Sequence, residues 1–192
     1  MKWREKWGVD DIESWEAPAS FKGAYPYGTT GFDKDGAPII FIPFAGIDVW
    51  GLLHCASKRE IIKNTIKTLE GESVDYRTSG ASIITCESIL PHTGFMKIAF
   101  EQSKTHGPEA RKFTVIFDMD NFSMKQYAYR PAAELVINTF QMYSNNYPEI
   151  LKYCYIINGE TSLNFIFQFH FSFEFNSLFF KHRKYFHSPS TS

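Results

Sequence analysis

Two carboxylates, Asp118 and Asp120, follow an apolar run at Phe113–Phe117 in the middle of the chain. An Asp-x-Asp pair at the end of a buried strand can supply a nucleophilic carboxylate and a general acid beside Mg²⁺, which is chemistry suited to phosphoryl groups. Ligands of open α/β sheets also collect at the carboxyl ends of strands. This pair is therefore the sharpest enzymatic hypothesis that the sequence offers.

The surroundings of the pair favour a structural role. Haloacid-dehalogenase-type phosphatases have Thr or Val two places after the second Asp, where this chain has Phe122, and no later acidic pair completes a metal site. We expect Asp118 to cap the end of the strand by accepting hydrogen bonds from turn amides. A phosphatase that uses Asp118 is the third hypothesis, and the prediction is that the chain is not an enzyme.

Other candidate ligands for metals or cofactors have equally plain interpretations. The segment Asp33–Gly36 contains an Asp-x-Asp-Gly fragment of a calcium loop but lacks the later Glu, so it predicts a tight turn into a strand at Ile39–Ile42. The three cysteines are odd in number, share no metal spacing and are expected to be free thiols in a reducing compartment. We predict no metal and no cofactor.

The elements that position these residues form a strand, a helix and a strand between residues 113 and 158. Phe113–Phe117 and Tyr153–Ile157 are apolar strands, and Pro131 suits a first helical turn. The helix between them has one apolar stripe, formed by Ala132, Leu135, Val136, Thr139, Phe140 and Tyr143. Such a βαβ unit predicts an α/β fold with two parallel strands.

The flanking segments are less uniform. Ser57–Glu60 is a capping box that opens a helix whose buried stripe includes Ile61, Thr65 and Leu69. No helical or strand period is found over residues 73–100, which predicts a long loop or an insertion. Near the start, Trp3 and Trp7 lie one helical turn apart, which fits either the end of a larger helical segment or a short helix that caps the domain.

The end of the chain has a different composition. Nine of the 19 Phe residues follow Thr161, and from Phe165 to Phe175 they alternate with other residues at period two, which predicts an amphipathic strand. Burying six such side chains is worth roughly 9–18 kcal/mol, so this stripe must pair with the sheet, meet lipid or aggregate.

Size and charge limit the function classes. A chain of 192 residues with 44% hydrophobic content is large enough for one domain with a core. A net charge of −1 gives no electrostatic reason to expect nucleic acid as a partner. With no apolar signal segment near Met1 and no stretch of about 20 apolar residues, a cytoplasmic location is expected.

Several stretches together resemble the CRAL-TRIO (Sec-fourteen-like) lipid-binding family, and within it the animal subgroup of supernatant protein factor, or tocopherol-associated protein. The most specific one runs from Asn146–Glu149 through Tyr155–Asn158. The others are the entry at Asp11–Trp15, the turn at Gly31–Pro38, the segment Gly51–Ser57 and the strand Phe113–Asp118.

This resemblance implies a mixed sheet with helices around a pocket that sequesters one phospholipid, phosphoinositide or tocopherol-like molecule, and a transient encounter with a membrane surface. It implies that Glu149 takes part in headgroup binding. The residues expected to line the pocket are Ile40, Phe41, Phe113, Val115, Phe117, Phe140 and Tyr155. The alternative is an isoform without a pocket that acts only through protein contacts.

The departures from the family pattern define the expected organisation. Residues 1–16 are interpreted as a remnant of the family's N-terminal helical module. Residues 17–160 are interpreted as a partial CRAL-TRIO domain with an insertion at 73–100. Residues 161–192 are a divergent Phe-rich tail, because Asn158 leads into Gly159 and Glu160 rather than the expected Ala-Pro.

Overall fold

A mixed five-stranded sheet carries the helices of this chain. The computed structural model describes residues 2–21, 24–71, 94–147 and 149–159, together with the backbone of a short strand at 178–180. In these residues the strands are β1 (Gly28–Phe32), β2 (Pro38–Pro43), β3 (Phe113–Asp118), β4 (Leu151–Ile157) and β5 (Leu178–Phe180). The α-helices are α1 (Lys2–Trp7), α2 (Val49–Cys55), α3 (Lys58–Glu70), α4 (Phe95–His106) and α5 (Arg130–Asn146).

The order of the strands in the sheet is their order in the chain. β1 is antiparallel to β2, and each later strand is parallel to its neighbour. The predicted βαβ core is confirmed, because β3 and β4 are parallel neighbours and α5 lies between them in the chain. The predicted third strand is β2, which pairs in parallel with β3.

The register of the three central strands sorts their side chains onto two faces. Ile40, Val115 and Cys154 are opposite one another across β2, β3 and β4, and all three are buried. The next row along, Phe41, Ile116 and Tyr155, lies on the other face because successive side chains of a strand alternate. We call the face of Val115 the cavity face.

The capping signals in the sequence act as predicted. Ser57 Oγ accepts from the Glu60 amide at 3.2 Å, and Glu60 Oε2 accepts from the Ser57 amide at 2.9 Å, which completes the capping box of α3. Pro131 lies in the first turn of α5, where its missing amide hydrogen has no cost.

Helix α4 corrects the interpretation of residues 73–100. The prediction of a long loop is wrong from Phe95 onward, since α4 begins at that residue, whereas the alternative of an insertion stays a prediction. Phe95, Ile98 and Ala99 are buried, at the spacing of a single helical face. The apolar part of this face is only one turn long, so it produces no sustained period in the sequence. Residues 73–93 lie outside the described residues.

Helix α1 is docked on α3 and on the end of α5. The Arg4 guanidinium donates to both carboxylate oxygens of Glu70, at 2.7 and 3.0 Å. Trp3 packs edge-on against Tyr147 with ring centroids 5.8 Å apart, and the Arg59 guanidinium lies 4.7 Å from the Trp7 ring. These contacts fix α1 against the domain, and the interpretation of residues 1–16 as a remnant of a larger helical module stays a prediction.

The turn between β1 and β2 is held by a buried lysine. Asp33 Oδ1 accepts from the Asp35 and Ala37 amides at 2.9 Å each, and Gly36 adopts a positive φ of 81° that favours glycine. Lys152 Nζ, on β4, donates to Asp33 Oδ2 at 2.7 Å and to Asp35 Oδ2 at 2.6 Å. The ammonium group thus lies between the two carboxylates of the calcium-like fragment, and the predicted turn is confirmed.

The Phe alternation at 165–175 lies outside the described residues. The backbone of β5 pairs in parallel with β4 from Cys154 to Ile156. The division of the chain at residues 16 and 160 stays a prediction.

The Lys152 pair generates a prediction on stability. Burial by itself would raise the pKa of Asp33, but the bonds from Lys152 and from the Ala37 and Asp35 amides outweigh it and lower that pKa. The stabilisation is therefore complete above the unfolded-state value of about 3.9 and is lost as the pH falls through the folded value. Lys152→Met leaves the carboxylates without their cation and should lower the free energy of unfolding by about 2–3 kcal/mol at neutral pH in urea titrations.

The difference between Lys152→Met and the wild type should shrink as the pH falls from about 4 through the lowered folded pKa of Asp33, because below that pKa both proteins carry a protonated Asp33. The control is Lys104→Met, which removes the exposed pair with Glu101 and should cost less than about 1 kcal/mol. Equal losses in the two variants, or a loss at Lys152 that does not change with pH, would contradict the role given to this pair.

Candidate functional site: an apolar cavity

A cavity with two adjoining lobes lies between the cavity face of the sheet and the helices. The smaller lobe has a volume of about 80 Å³ and the larger lobe about 140 Å³. The smaller lobe is lined by Ile40, Ile42, Leu69, Phe95, Phe113, Val115, Phe117, Phe140, Tyr143, Tyr147, Ile150, Leu151 and Cys154.

The larger lobe extends toward α2 and the segment before β1. Its walls come from α2 (Val49 and Leu52), from α3 (Ile61, Asn64, Thr65 and Thr68) and from α5 (Leu135, Val136, Thr139, Phe140 and Tyr143). Tyr25, Pro26, Tyr27, Ile42, Phe44, Ile47, Phe95 and Phe117 complete it. The stripe predicted for α5 therefore faces the cavity, apart from Ala132, which is buried but is not a lining residue.

Bulky side chains form the wall that the two lobes share. Ile42, Phe95, Phe117, Phe140 and Tyr143 line both lobes. Phe117 and Phe140 meet edge to face with ring centroids 6.1 Å apart, within the range that aromatic pairs prefer. These five side chains thus border both lobes.

The threonine hydroxyls of the larger lobe are hydrogen-bonded within the protein. The hydroxyls of Thr65, Thr68 and Thr139 each donate to the carbonyl four residues earlier in their own helix, at 3.2, 3.1 and 2.9 Å. Tyr27 Oη lies 3.1 Å from Thr68 Oγ1. Among the side chains that line the two lobes, in the part of the chain that the structure describes, none belongs to Lys, Arg, His, Asp or Glu.

The ionisable groups that do reach the cavity remain neutral. Burial raises the pKa of the Cys154 thiol to about 12 and raises the pKa of Tyr143 above the ordinary tyrosine value. Burial also raises the pKa of Tyr147, and its hydrogen bond to Glu70 raises that pKa further. The cavity therefore presents an uncharged surface at neutral pH.

An ionic network lies at the Tyr147 end of the cavity. Tyr147 Oη donates to Glu70 Oε1 at 2.8 Å, and the same carboxylate accepts from Arg4. Arg4 is also paired with Asp10 at 2.8 Å. This network ties α1, α3 and the end of α5 together, so the charges of this region are engaged outside the lining.

The structure separates the eight predicted site residues into two groups. Five of them line the smaller lobe, and they are Ile40, Phe113, Val115, Phe117 and Phe140. The expectation that Phe41 and Tyr155 share this lining is wrong, because the register of β2 and β4 places both on the opposite face of the sheet. Glu149 is exposed in the loop between α5 and β4 and is not among the lining residues.

Sequence reasoning missed several residues of the cavity. Phe95 was missed because α4 has no sustained apolar period, and Tyr147 was considered only within the stretch Asn146–Glu149 that resembles the family. The helical stripe of α3 was identified, and extending the pocket to its members Ile61, Thr65 and Leu69 would have found three lining residues.

The carboxylates that suggested chemistry have structural roles. Asp118 Oδ1 accepts from the Asp120 amide at 3.0 Å and from Asn158 Nδ2 at 2.8 Å, which joins the ends of β3 and β4. The predicted cap at the strand end is confirmed. Within the described ranges, no three His, Cys, Asp or Glu side chains are grouped so that they could hold a metal ion.

Two of the three cysteines lie within the described residues. Cys55 is exposed, Cys154 is buried, and neither is in a disulfide; Cys86 lies outside the described residues. Of the helices that the structure describes, none has both the length and the apolar character needed to span a bilayer.

Comparison with known proteins assigns this chain to a family. The family model of the CRAL/TRIO domain matches residues 22–173. The chain belongs to the CRAL-TRIO family. It has the mixed α/β fold of this family, whose domains generally bind small hydrophobic lipids.

Individual CRAL-TRIO relatives are distant. The chain is similar to protein real-time of Aedes aegypti (25% identical over 160 residues, 83% of this chain and 21% of the relative). It is also similar to protein ctg-1 of Caenorhabditis elegans (24% over 159 residues, 83% of this chain and 35% of the relative). The chain thus spans about a fifth to a third of the length of these curated relatives.

A solved structure has the same fold. The crystal structure of Sfh5 aligns with a TM-score of 0.56 over 93% of this chain and 56% of that chain, at 10% sequence identity. At this identity the likeness concerns the arrangement of the backbone alone. The predicted mixed sheet of a CRAL-TRIO domain is confirmed.

The network at the Tyr147 end gives a prediction. Tyr147→Phe removes the donor to Glu70 without changing the ring that lines the cavity, and it should lower the free energy of unfolding by about 1–2 kcal/mol. Tyr129→Phe, at an exposed ring, is the matched control and should change it by less than about 0.5 kcal/mol. Urea titrations measure both, and equal effects would show that the hydrogen bond to Glu70 does not stabilise the fold.

Proposed function

We propose that this chain is a non-enzymatic lipid carrier that holds one uncharged hydrophobic molecule in the two-lobed cavity. The observation that supports the proposal is the lining itself, which is aromatic and aliphatic, with threonine hydroxyls bonded inside their own helices. Binding needs no cofactor, because burying apolar surface is worth about 25 cal/mol per Å².

The absence of ionised side chains from the described lining narrows the ligand class. Burying a charged headgroup without a partner of opposite charge costs several kcal/mol. A tocopherol-like molecule, with one hydroxyl and a long apolar body, fits such a lining. A phospholipid or phosphoinositide fits only with its headgroup outside the cavity, and exposed Glu149 is the residue that we propose contacts a headgroup held there.

The size of the cavity sets a second condition. Sites for drug-sized ligands have volumes of about 300–1,000 Å³, and both lobes are smaller than that. A lipid must therefore displace the side chains of the shared wall, with Phe117 and Phe140 as the first to rotate. We propose that the ligand joins the two lobes and stabilises the protein as it enters.

The same volumes favour one alternative function. A chain that never opens the shared wall carries no lipid and acts only through protein contacts. The two functions differ in one measurable property, which is whether the purified protein contains a stoichiometric hydrophobic molecule.

Filling the larger lobe tests the proposal. Val136 lines this lobe, whereas Asn138 lies on the exposed side of the same helix. Val136→Trp should abolish ligand binding because the indole occupies the volume that the ligand needs, and Asn138→Trp, with the same new side chain, should retain it. The measurement is organic extraction of each purified protein followed by mass spectrometry.

We expect about one hydrophobic molecule per chain in the wild type and in Asn138→Trp, and none in folded Val136→Trp. Circular dichroism establishes that each variant is folded. Two results together would overturn the proposal and leave the alternative. The wild-type protein would contain no such molecule, and neither tocopherol, phosphatidylcholine nor a phosphoinositide would stabilise it against heat.

A further inference from the structure

Three aromatic rings from two helices lie together on the outer surface of the domain. The Trp50 and His54 rings, both in α2, have centroids 4.0 Å apart, and the Tyr129 ring at the start of α5 lies 6.3 Å from His54. Trp50 is 50% exposed and Tyr129 is 40% exposed. We call these three residues the aromatic patch.

The fold holds these rings in place. His54 Nδ1 lies 2.7 Å from the Trp50 carbonyl oxygen, which only accepts, so the ring proton is on Nδ1 and Nε2 is left for other partners. Asp48 Oδ1 accepts from the Gly51 amide at 2.9 Å and caps the start of α2. The orientation of the patch is thus set by the helix and does not depend on a partner.

The patch is on the outer side of a cavity wall. Val49 and Leu52 of α2 are buried and line the larger lobe, whereas Trp50, between them in the chain, faces outward. Whatever contacts Trp50 therefore lies one helix away from the proposed ligand.

Cations outnumber carboxylates within five positions of the patch residues in the chain. Arg130, next to Tyr129, has 89% of its side chain exposed. Lys125, four residues before Tyr129, is exposed, and Lys58 follows α2. The nearby carboxylates are Asp48 and Glu134. Glu134 accepts from both Lys58 and Arg130, at 2.7 and 2.8 Å.

We propose that the aromatic patch docks on an anionic phospholipid membrane while the ligand is exchanged, an inference that rests on the proposed carrier function. Trp and Tyr favour the headgroup layer of a bilayer, where the ring is in apolar surroundings and its polar tip is hydrated. We call Arg130, Lys125 and Lys58 the rim of the patch. Their positive charges match the negative potential of anionic headgroups.

Two other occupants fit less well. A second copy of the chain, placed face to face, would bring the same cations together. A protein partner typically covers a contiguous, fully desolvated apolar centre, whereas each ring of the patch carries its own polar group and is flanked by charge.

Vesicle binding tests the inference. The 192-residue chain is sedimented with vesicles of phosphatidylcholine alone and with vesicles that also contain phosphatidylserine, at low and high salt. The double variant Trp50→Ala/Tyr129→Ala removes the two exposed rings, and Lys125→Glu reverses one rim charge. Phe100→Ala is the control, because Phe100 is an equally exposed ring of α4 beside two cations, Lys104 and Arg111.

We expect wild-type binding to phosphatidylserine vesicles to be roughly tenfold tighter than to phosphatidylcholine vesicles and to weaken at high salt. The double variant should bind roughly tenfold more weakly and Lys125→Glu roughly fivefold more weakly, with Phe100→Ala unchanged. Each variant should keep its extracted hydrophobic molecule, so a failure of docking is distinguished from a failure of the cavity.

The inference is overturned if the wild type does not bind phosphatidylserine vesicles, or if the double variant binds them as the wild type does. An equal loss in Phe100→Ala would also overturn it, because the binding would then be a general property of exposed rings. Size-exclusion chromatography tests self-association. If the wild type is a dimer and the double variant is a monomer, the patch is a dimer interface and the inference is overturned.

Discussion

Parallel pairing of β2, β3 and β4 is the constraint on which the cavity depends. Because the strands are in register, Ile40, Val115 and Cys154 form one continuous apolar row, and the next row along points to the opposite side. A shift of one residue in any strand would exchange the two sets. Helices α3 and α5 then cover the row without filling the space above it, which leaves the two lobes.

Polar groups are arranged so that this space stays neutral. Lys152 is paired with the turn carboxylates Asp33 and Asp35, and Arg4 and Glu70 form their network beyond the Tyr147 hydroxyl. The wall threonines bond within their helices. Since an unpaired charge inside the lining would cost several kcal/mol, these arrangements keep the cavity apolar.

Helix α2 joins the two proposed activities. Its inner residues, Val49 and Leu52, are part of the cavity wall, and its outer residues, Trp50 and His54, form most of the aromatic patch. A seven-residue helix gains little stability from its own hydrogen bonds, so its position depends on packing against α5 and on the Asp48 cap. A ligand that expands the larger lobe would press on the same helix that we propose contacts the membrane.

The sequence alone determined the features that short-range spacing encodes. The strand and helix patterns of the βαβ core, the capping box at Ser57 and the bond from the Asp120 amide to Asp118 each depend on residues close together in the chain, and all three are present in the structure. The family likewise followed from local stretches. Only the tertiary structure decided which face of β2 and β4 lines the cavity. An apolar run such as Pro38–Ile42 has hydrophobic side chains on both faces, so the sequence does not distinguish them.

Two further features were also beyond the sequence. Lys152 is 119 residues from Asp33, and no spacing rule relates them. Helix α4 is held by Phe95, Ile98 and Ala99 against partners elsewhere in the chain, with too few apolar turns to reveal a period. Local hydrogen bonds and hydrophobic periodicity depend on neighbouring residues. Which face of an apolar strand is buried depends instead on the distant parts of the chain that pack against it.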